Sequence, residues 1–390
     1  MRAPRLAALA ATQITLAVLP LGGDQPTATA QDMPCAAPAE APNPGPPTWA
    51  GELRRFATGT GVRVAVVDTG VSPNPELDQL APGADLVTPD TPDPLFDCDG
   101  HGTVVAGIIG ATTTGIAPDA EILAVRQTSA HYRNRNEGDD VETAGSLRSL
   151  ADAIHAALDE HSRVINISVV SCVDSRDVGA IDTGVLDGAL TRAEVEGAVV
   201  VAAAGNVTST CAQGSHVFPS HFPTVVAVGA RDTSHTVADF SVAPPAGSPA
   251  LSAPGTAEFG LSWAGGGYAR GSVPERDSVT PFTGTSFAAP IVSGAVALLL
   301  ERHPTLSPAE VRTVLGRVAE PAGGALDPLA VVTAQPVPPR QQASAAYAPL
   351  VVTPTQGRAS GADTRGAGAG LALLGVALLT GGALALARRR

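Results

Sequence analysis

The sequence predicts an α/β domain, a parallel sheet with helices on both faces, followed by one C-terminal transmembrane helix. Three observations carry this. Short aliphatic runs alternate with helical patterns along residues 62–320, as in βαβ architectures. The runs are apolar throughout rather than alternating, which suits strands buried on both faces. Residues 368–387 hold no charge and run into Arg388-Arg389-Arg390; at ~1.5 Å per residue, ~20 residues cross the ~30 Å core of a bilayer.

In chain order, Arg2 and Arg5 precede an apolar run from Leu6 to Leu21 and the small-residue site Ala28-Thr29-Ala30. That is the pattern of a signal peptide over residues 1–30. Residues 31–61 form a Pro-rich arm. Five strands are expected: Arg63 to Val67 leading into Asp68, Ile122 to Val125, Val164 to Ser168, Ala198 to Ala204, and Val225 to Val228. Helices fit between them. Leu147, Leu150, Ile154 and Leu158 make one stripe of an amphipathic helix. Val104 to Ile109 and Val185 to Val195 also have helical patterns. Ser307-Pro308-Ala309-Glu310 is a capping box with Pro at the first helical position. Ser286 heads an apolar helix to Leu300, with Pro290 expected in its first turn. Residues 129–141 are polar and read as an exposed loop. Residues 321–366 have a linker composition, and the positive-inside rule puts the tail 388–390 in the cytoplasm. The body of the chain then lies outside the membrane.

The net charge of −13 argues against a nucleic-acid partner. All 24 basic residues are Arg. The four cysteines, Cys35, Cys98, Cys172 and Cys211, form an even set in an exported chain. They suit disulfides with three possible pairings, and no C-x-x-C pair suggests zinc. Asp97, Asp99 and Glu137-Gly138-Asp139-Asp140 are acidic but carry no legible ligand spacing. No metal and no cofactor are expected.

Four residues stand out together. Asp68, His101, Asn206 and Ser286 each fall at the end of a strand or the start of a helix, where open α/β sheets place ligands. Ser286 sits at a helix N-terminus, a setting that favours a developing oxyanion. A Ser there is ordinarily an N-cap, and a His between glycines is ordinarily a loop residue. The conjunction is what carries meaning. Acyl transfer needs a nucleophile, a base, a carboxylate to orient the base, and an oxyanion donor, and the four supply every role.

The blocks Val66-Val67-Asp68-Thr69-Gly70, His101-Gly102-Thr103-x-Val105-Ala106-Gly107, Ala202-Ala203-Ala204-Gly205-Asn206 and Gly284-Thr285-Ser286-x-Ala288-Ala289-Pro290 resemble the signatures of subtilisin-like serine proteases. The order Asp, His, Ser is the subtilisin order. The resemblance covers roughly residues 60–320 and implies a seven-stranded parallel sheet. It also implies Ser286 as nucleophile, His101 as base and then acid, Asp68 as its orienter, and Asn206 with the Ser286 N–H as oxyanion donors. The whole ensemble resembles the mycosins, membrane-anchored proteases of actinobacterial type VII secretion. That resemblance implies an endopeptidase acting on secreted proteins and a type VII secretion membrane complex as partner. A mainly structural subunit and a general secreted subtilisin are the alternatives. A cell-wall sorting tail is a further reading of the C-terminus, but Arg365 splits Thr364 from Gly366 in the motif it would need.

The mycosin resemblance further implies disulfides Cys35–Cys98 and Cys172–Cys211. The subtilisin pattern implies a first specificity pocket walled by Ser168-Val169-Val170 and Ala203-Ala204-Gly205. Its floor is Val217, where Gly is often found, before Phe218-Pro219. Val217 should restrict cleavage to positions after small residues such as Ala.

Overall fold

A computed structural model describes residues 34–132, 144–244, 250–273 and 278–336. The predicted signal peptide, most of the polar loop at 129–141, the linker beyond residue 336, the transmembrane helix at 368–387 and the tail lie outside the described residues.

The core is a seven-stranded, fully parallel sheet. Its strands are β1 (Arg63–Asp68), β2 (Leu80–Asp85), β3 (Glu121–Arg126), β4 (Val164–Ile167), β5 (Val199–Ala203), β6 (Val226–Arg231) and β7 (Ser252–Pro254). Their spatial order is β7-β6-β5-β4-β1-β3-β2. The helices are α1 (His101–Gly110), α2 (Leu147–Asp159), α3 (Gly184–Glu196), α4 (Thr285–Arg302), α5 (Pro308–Val318) and α6 (Pro328–Thr333), with one short turn at Ala50–Leu53.

The alternation of side chains along a strand explains the two layers. Val64 and Val66 of β1 pack into a core shared with α1, α4, α5 and α6. Ala65 and Val67 turn to the opposite face, against α2 and α3. Both faces are covered, so the inner strands are mainly aliphatic, with polar exceptions such as Asp68 and Asn166. Within this frame α4 is the central helix. Fourteen of its 18 residues are buried, and Leu298, Leu299 and Leu300 are at most 1% exposed. Among the described residues it is the one helix long and apolar enough to cross a membrane, and its burial accounts for that composition.

Five of the seven sheet strands are those expected from patterning. The other two, β2 and β7, occupy the sheet's two edges. The β2 sequence Leu-Ala-Pro-Gly-Ala-Asp contains Pro and Gly and breaks register between Pro82 and Asp85. Such residues read as a turn, yet an edge strand tolerates them because one side needs no donor. The β7 strand is three residues long and contains Pro254.

Two further expectations need correction. The fold continues past residue 320 into the segment read as linker. There Asp327 caps α6 by accepting from Leu329 N–H, Pro328 takes a first-turn position, and Val331 and Val332 are fully buried. A six-residue helix is too short to leave a period in the sequence. Pro290 is not in the first turn of α4 but is its sixth residue. A proline there cannot donate to the carbonyl four residues earlier, which is that of Ser286. The Ser168 hydroxyl fills the vacancy, donating to Ser286 O at 2.9 Å.

The arm at 37–41 pairs antiparallel with the strand Tyr268–Val273. It is held at its start by Cys35–Cys98 (Cα–Cα 4.6 Å), and Cys172–Cys211 (Cα–Cα 5.6 Å) closes the second bridge. These are the two pairs the mycosin resemblance implies.

Candidate active site

The chain changes side of the sheet after β3, so the carboxyl ends of β1 and β4 border the crevice where α/β sheets bind ligands. Asp68 is the last residue of β1 and Ser168 follows β4. His101 is the first residue of α1, three residues earlier than the helix pattern suggests. Two glycines make its placement possible. Gly100 has φ +76°, and a Cβ there would strike the Trp263 ring at 2.3 Å. A Cβ on Gly102 would lie 2.0 Å from Gly70 O, so only glycine lets α1 approach the end of β1.

That approach puts His101 Nδ1 2.6 Å from Asp68 Oδ1. Asp68 is fully buried, and the same oxygen accepts from Thr69 N at 2.8 Å. The imidazole side chain is 27% exposed. Burial pulls its pKa down. The Asp68 carboxylate, with Asp97 and Asp99 farther off, outweighs that and holds it above the ordinary histidine value. An ionised partner makes Nδ1 the donor and leaves Nε2 as a base.

Ser286 is the second residue of α4. Its hydroxyl donates to Ser168 O at 2.9 Å rather than to His101. Phe287, next in the chain, lies against the His101 ring at a centroid distance of 5.3 Å, which ties the first turn of α4 to the imidazole. Ser168 and Ser286 are thus bonded in both directions, and the link continues inward. Asn166 Nδ2 donates to Ser168 Oγ at 3.0 Å, and Ser293 Oγ donates to Asn166 Oδ1 at 2.8 Å. Asn166 and Ser293 are fully buried. Sequence reasoning passed over both; the signal was a polar residue inside an aliphatic strand and another inside an aliphatic helix.

Asn206 lies beside the head of α4. Its Oδ1 accepts from Thr285 N at 2.9 Å and from Thr285 Oγ1 at 3.1 Å. A backbone N–H can face only the amide oxygen, so the contact fixes the flip and leaves Nδ2 on the Gly284 side. The Ser286 N–H is one of the helix's first-turn donors without an intrahelical acceptor. Asn206 Nδ2 and the Ser286 N–H are thus two donors at the head of α4.

Of the residues expected to shape the specificity pocket, Val170 and Gly205 lie against Val217, Ala203 belongs to the main core, and Val169 packs elsewhere. Val217 is fully buried and packs with Cys211 and Val242, against Val170 and Cys172. Its two γ-methyl groups lie 3.2 Å from where a Cβ on Gly205 would be, so it packs closely against the end of the second proposed wall. Val169 is half-buried and packs against the core under α2 and α3, lining a cavity there that Val170 and Ser171 also reach. Next to Val217 in the chain, His216 meets His221 edge-to-face at a centroid distance of 4.6 Å. Burial, and then His216, push His221 down to about 4, so this region carries no charge near neutral pH. An aromatic row runs Trp263–Phe282–Phe287–His101, with centroids 6.4, 5.8 and 5.3 Å apart. In a chain this poor in aromatics, the row makes a firm wall behind the imidazole. Among the described residues no cluster of three or more His, Cys, Asp or Glu side chains could hold a metal.

With this geometry in place, comparison with known proteins is informative. The subtilase family model matches residues 59–362. Mycosin-1 of Mycolicibacterium smegmatis is 35% identical over 346 residues, covering 78% of this chain and 75% of that protein. The crystal structure of MycP1 from the ESX-1 type VII secretion system superposes with a TM-score of 0.71 at 33% identity, covering 79% of this chain and 92% of that one. A chain in the structure of an intact ESX-5 inner membrane complex gives a TM-score of 0.70 at 32% identity, covering 84% and 88%. The chain belongs to the subtilase family of serine proteases, and within it to the mycosins.

Proposed function

We propose that the chain is an endopeptidase in which Ser286 is the nucleophile, His101 the general base and Asp68 its orienter. The observation that carries the reading is the 2.6 Å contact of His101 Nδ1 with a fully buried Asp68, with Ser286 at a helix N-terminus next to Phe287, whose ring packs on His101. In the reaction, the Ser286 hydroxyl swings from Ser168 O to His101 Nε2 and gives up its proton as Oγ attacks the scissile carbonyl. Asp68 stabilises the imidazolium without taking its proton. The oxyanion is held by Asn206 Nδ2 and the Ser286 N–H. The imidazolium then protonates the leaving amine. Water repeats the cycle on the acyl-enzyme and releases the acid. The swing also frees the Ser168 carbonyl to accept a backbone N–H of the substrate. The Val217 floor and the Val170 wall select small residues before the scissile bond.

The same reading places the catalytic domain outside the cytoplasmic membrane, anchored by residues 368–387 and acting on secreted proteins beside a type VII secretion complex. What supports it is the apolar segment before the terminal arginines and the likeness to a chain of the ESX-5 inner membrane complex. That likeness also favours a second role, as a structural subunit. Ser286→Ala in the full-length chain separates the roles. Processing of secreted proteins should stop and labelling by a fluorophosphonate should vanish. Export that continues with the variant present assigns the complex a scaffold need only. Processing that persists in the variant overturns the assignment of Ser286.

A further inference from the structure

Asp97 is a charged residue that the proposed chemistry leaves unused, and it is 2% exposed. Four donors converge on its carboxylate. Thr69 Oγ1 and Gly100 N donate to Oδ1, each at 2.8 Å. Thr103 N and Thr103 Oγ1 donate to Oδ2 at 2.8 and 2.7 Å. Its own N–H donates to Ser72 Oγ at 3.3 Å. These partners belong to two elements. Thr69 directly follows Asp68. Gly100 and Thr103 bracket His101 on the first turn of α1. Thr69 adds a second tie between them, because Gly102 N donates to its Oγ1 at 3.0 Å. A hydroxyl has one proton, and the Thr69 proton goes to Asp97, since Asp68 Oδ1 is the farther oxygen at 3.3 Å.

We propose that Asp97 is a positioning residue for the Asp68–His101 pair: ionised, it ties the end of β1 to the turn that carries His101, and protonated it lets that tie slip. The proposal rests on the assignment of Asp68, His101 and Ser286 above. Its logic is one of donor count. A carboxylate accepts all four bonds. A carboxylic acid or an amide puts hydrogen where one of those donors already points, so one contact must break. The titratable groups that face Asp97 are Asp68 and His101, with Asp99 near them; its remaining neighbours, Thr69, Ser72, Gly100 and Thr103, do not titrate in this range. Burial, reinforced by Asp68, outweighs the four donors and pushes the Asp97 carboxyl up to about 6. Acidification therefore protonates Asp97 as well as His101. Acidification should remove two protonation-sensitive contributions to catalysis, the free imidazole and the tie that holds it.

The test uses the full-length protein in detergent and the rate at which a fluorophosphonate labels Ser286, followed from about pH 5 to about pH 9. The wild type should lose reactivity on the acid side more steeply than one ionisation allows. Asp97→Asn should label slower by about tenfold or more at its optimum, with a one-proton acid limb and an unchanged KM for a peptide substrate. Should that variant not fold, Thr69→Val and Thr69→Ser decide. Loss of the hydroxyl should slow labelling at constant KM, and Ser should restore it. Wild-type rates and an unchanged limb in Asp97→Asn would overturn the proposal, as would a Thr69→Val variant as fast as wild type. A wild type that the probe does not label, or a Ser286→Ala variant that it does, overturns the triad assignment itself and this proposal with it.

Discussion

Val217 offers the sharpest check on the specificity argument. In the structure it is fully buried, and its γ-methyl groups stand 3.2 Å from the Cβ position of Gly205. The Val217→Gly change removes three carbons from the pocket floor. At about 0.8 kcal/mol per buried carbon the ceiling on the gain is ~2.4 kcal/mol. Val170 packs against the same cluster and should still narrow the proposed pocket, so part of that gain is withheld. The ratio of kcat/KM for a Phe-P1 peptide over its Ala-P1 twin should therefore rise by about tenfold, the equivalent of ~1.4 kcal/mol. The fold should lose about 2–3 kcal/mol from the cavity, held in part by the nearby Cys172–Cys211 bridge. Val217→Ala should fall between wild type and Gly on both measures. The assay is a pair of peptides differing only at P1, with Tm recorded for each variant. The reasoning fails if the wild type cleaves after Phe or Tyr as readily as after Ala. An unchanged ratio in Val217→Gly would sink it equally.

Three other outcomes follow from the geometry. Asp68→Asn should lower kcat/KM by about 10³–10⁴-fold. His101 owes its raised pKa to the carboxylate, so the midpoint of the acid limb should move down in a pH–rate profile. The sign follows because protonation blocks His101 in its proposed role as base, and less acid is needed to protonate a more basic imidazole. Asn206→Ala should reduce kcat by about 10²–10³-fold with KM little changed, a magnitude carried over from subtilisin, another subtilase, rather than worked from this structure. Replacing Cys35 and Cys98 by Ser should lower stability by about 4 kcal/mol on the chain-entropy model, read as a fall in the denaturation midpoint. Because Cys98 O accepts from Ala36 N at 2.9 Å just before His101, activity at moderate temperature should drop as well.

What was legible in the sequence, and what was not, divides along physical lines. The five inner strands announce themselves because burial on both faces demands aliphatic runs. The two edge strands do not, because an edge relaxes both the apolar demand and the need for donors, so Pro82 and Pro254 read as turns. Glycine-bounded blocks show Asp68, His101, Asn206 and Ser286, since close approach excludes a side chain at Gly102 whatever the rest of the chain does. Their supports are invisible one at a time. Ser168 looks like a strand-end serine until Pro290 is seen to strand the Ser286 carbonyl it serves. Trp263 lies far from His101 in sequence and joins it through Phe282 and Phe287 only when folded. Val169 and Val170 are equivalent as letters, and only folding packs one against the core under α2 and α3 and the other against Val217.

Asp97 shows the same limit from the side of energy. As a letter it is one of several acidic residues ahead of His101, and a solvated loop is the natural reading. Folding buries it, and its pKa rises to about 6 from an unfolded value near that of an ordinary aspartate. A carboxyl raised in this way stabilises the fold most when protonated. That stability is complete below about pH 4 and is lost as the pH climbs through about 6. At neutral pH the ionised side chain costs the fold about 3 kcal/mol, a large share of the stability of a typical domain. A residue kept for packing alone would be better as a neutral isostere, which avoids that cost. An ionised carboxylate is the one group of this size that accepts four bonds at once. The four donors it holds are on the two segments that must meet at 2.6 Å for Asp68 to orient His101. The cost and the donor count together point to a charge retained for position.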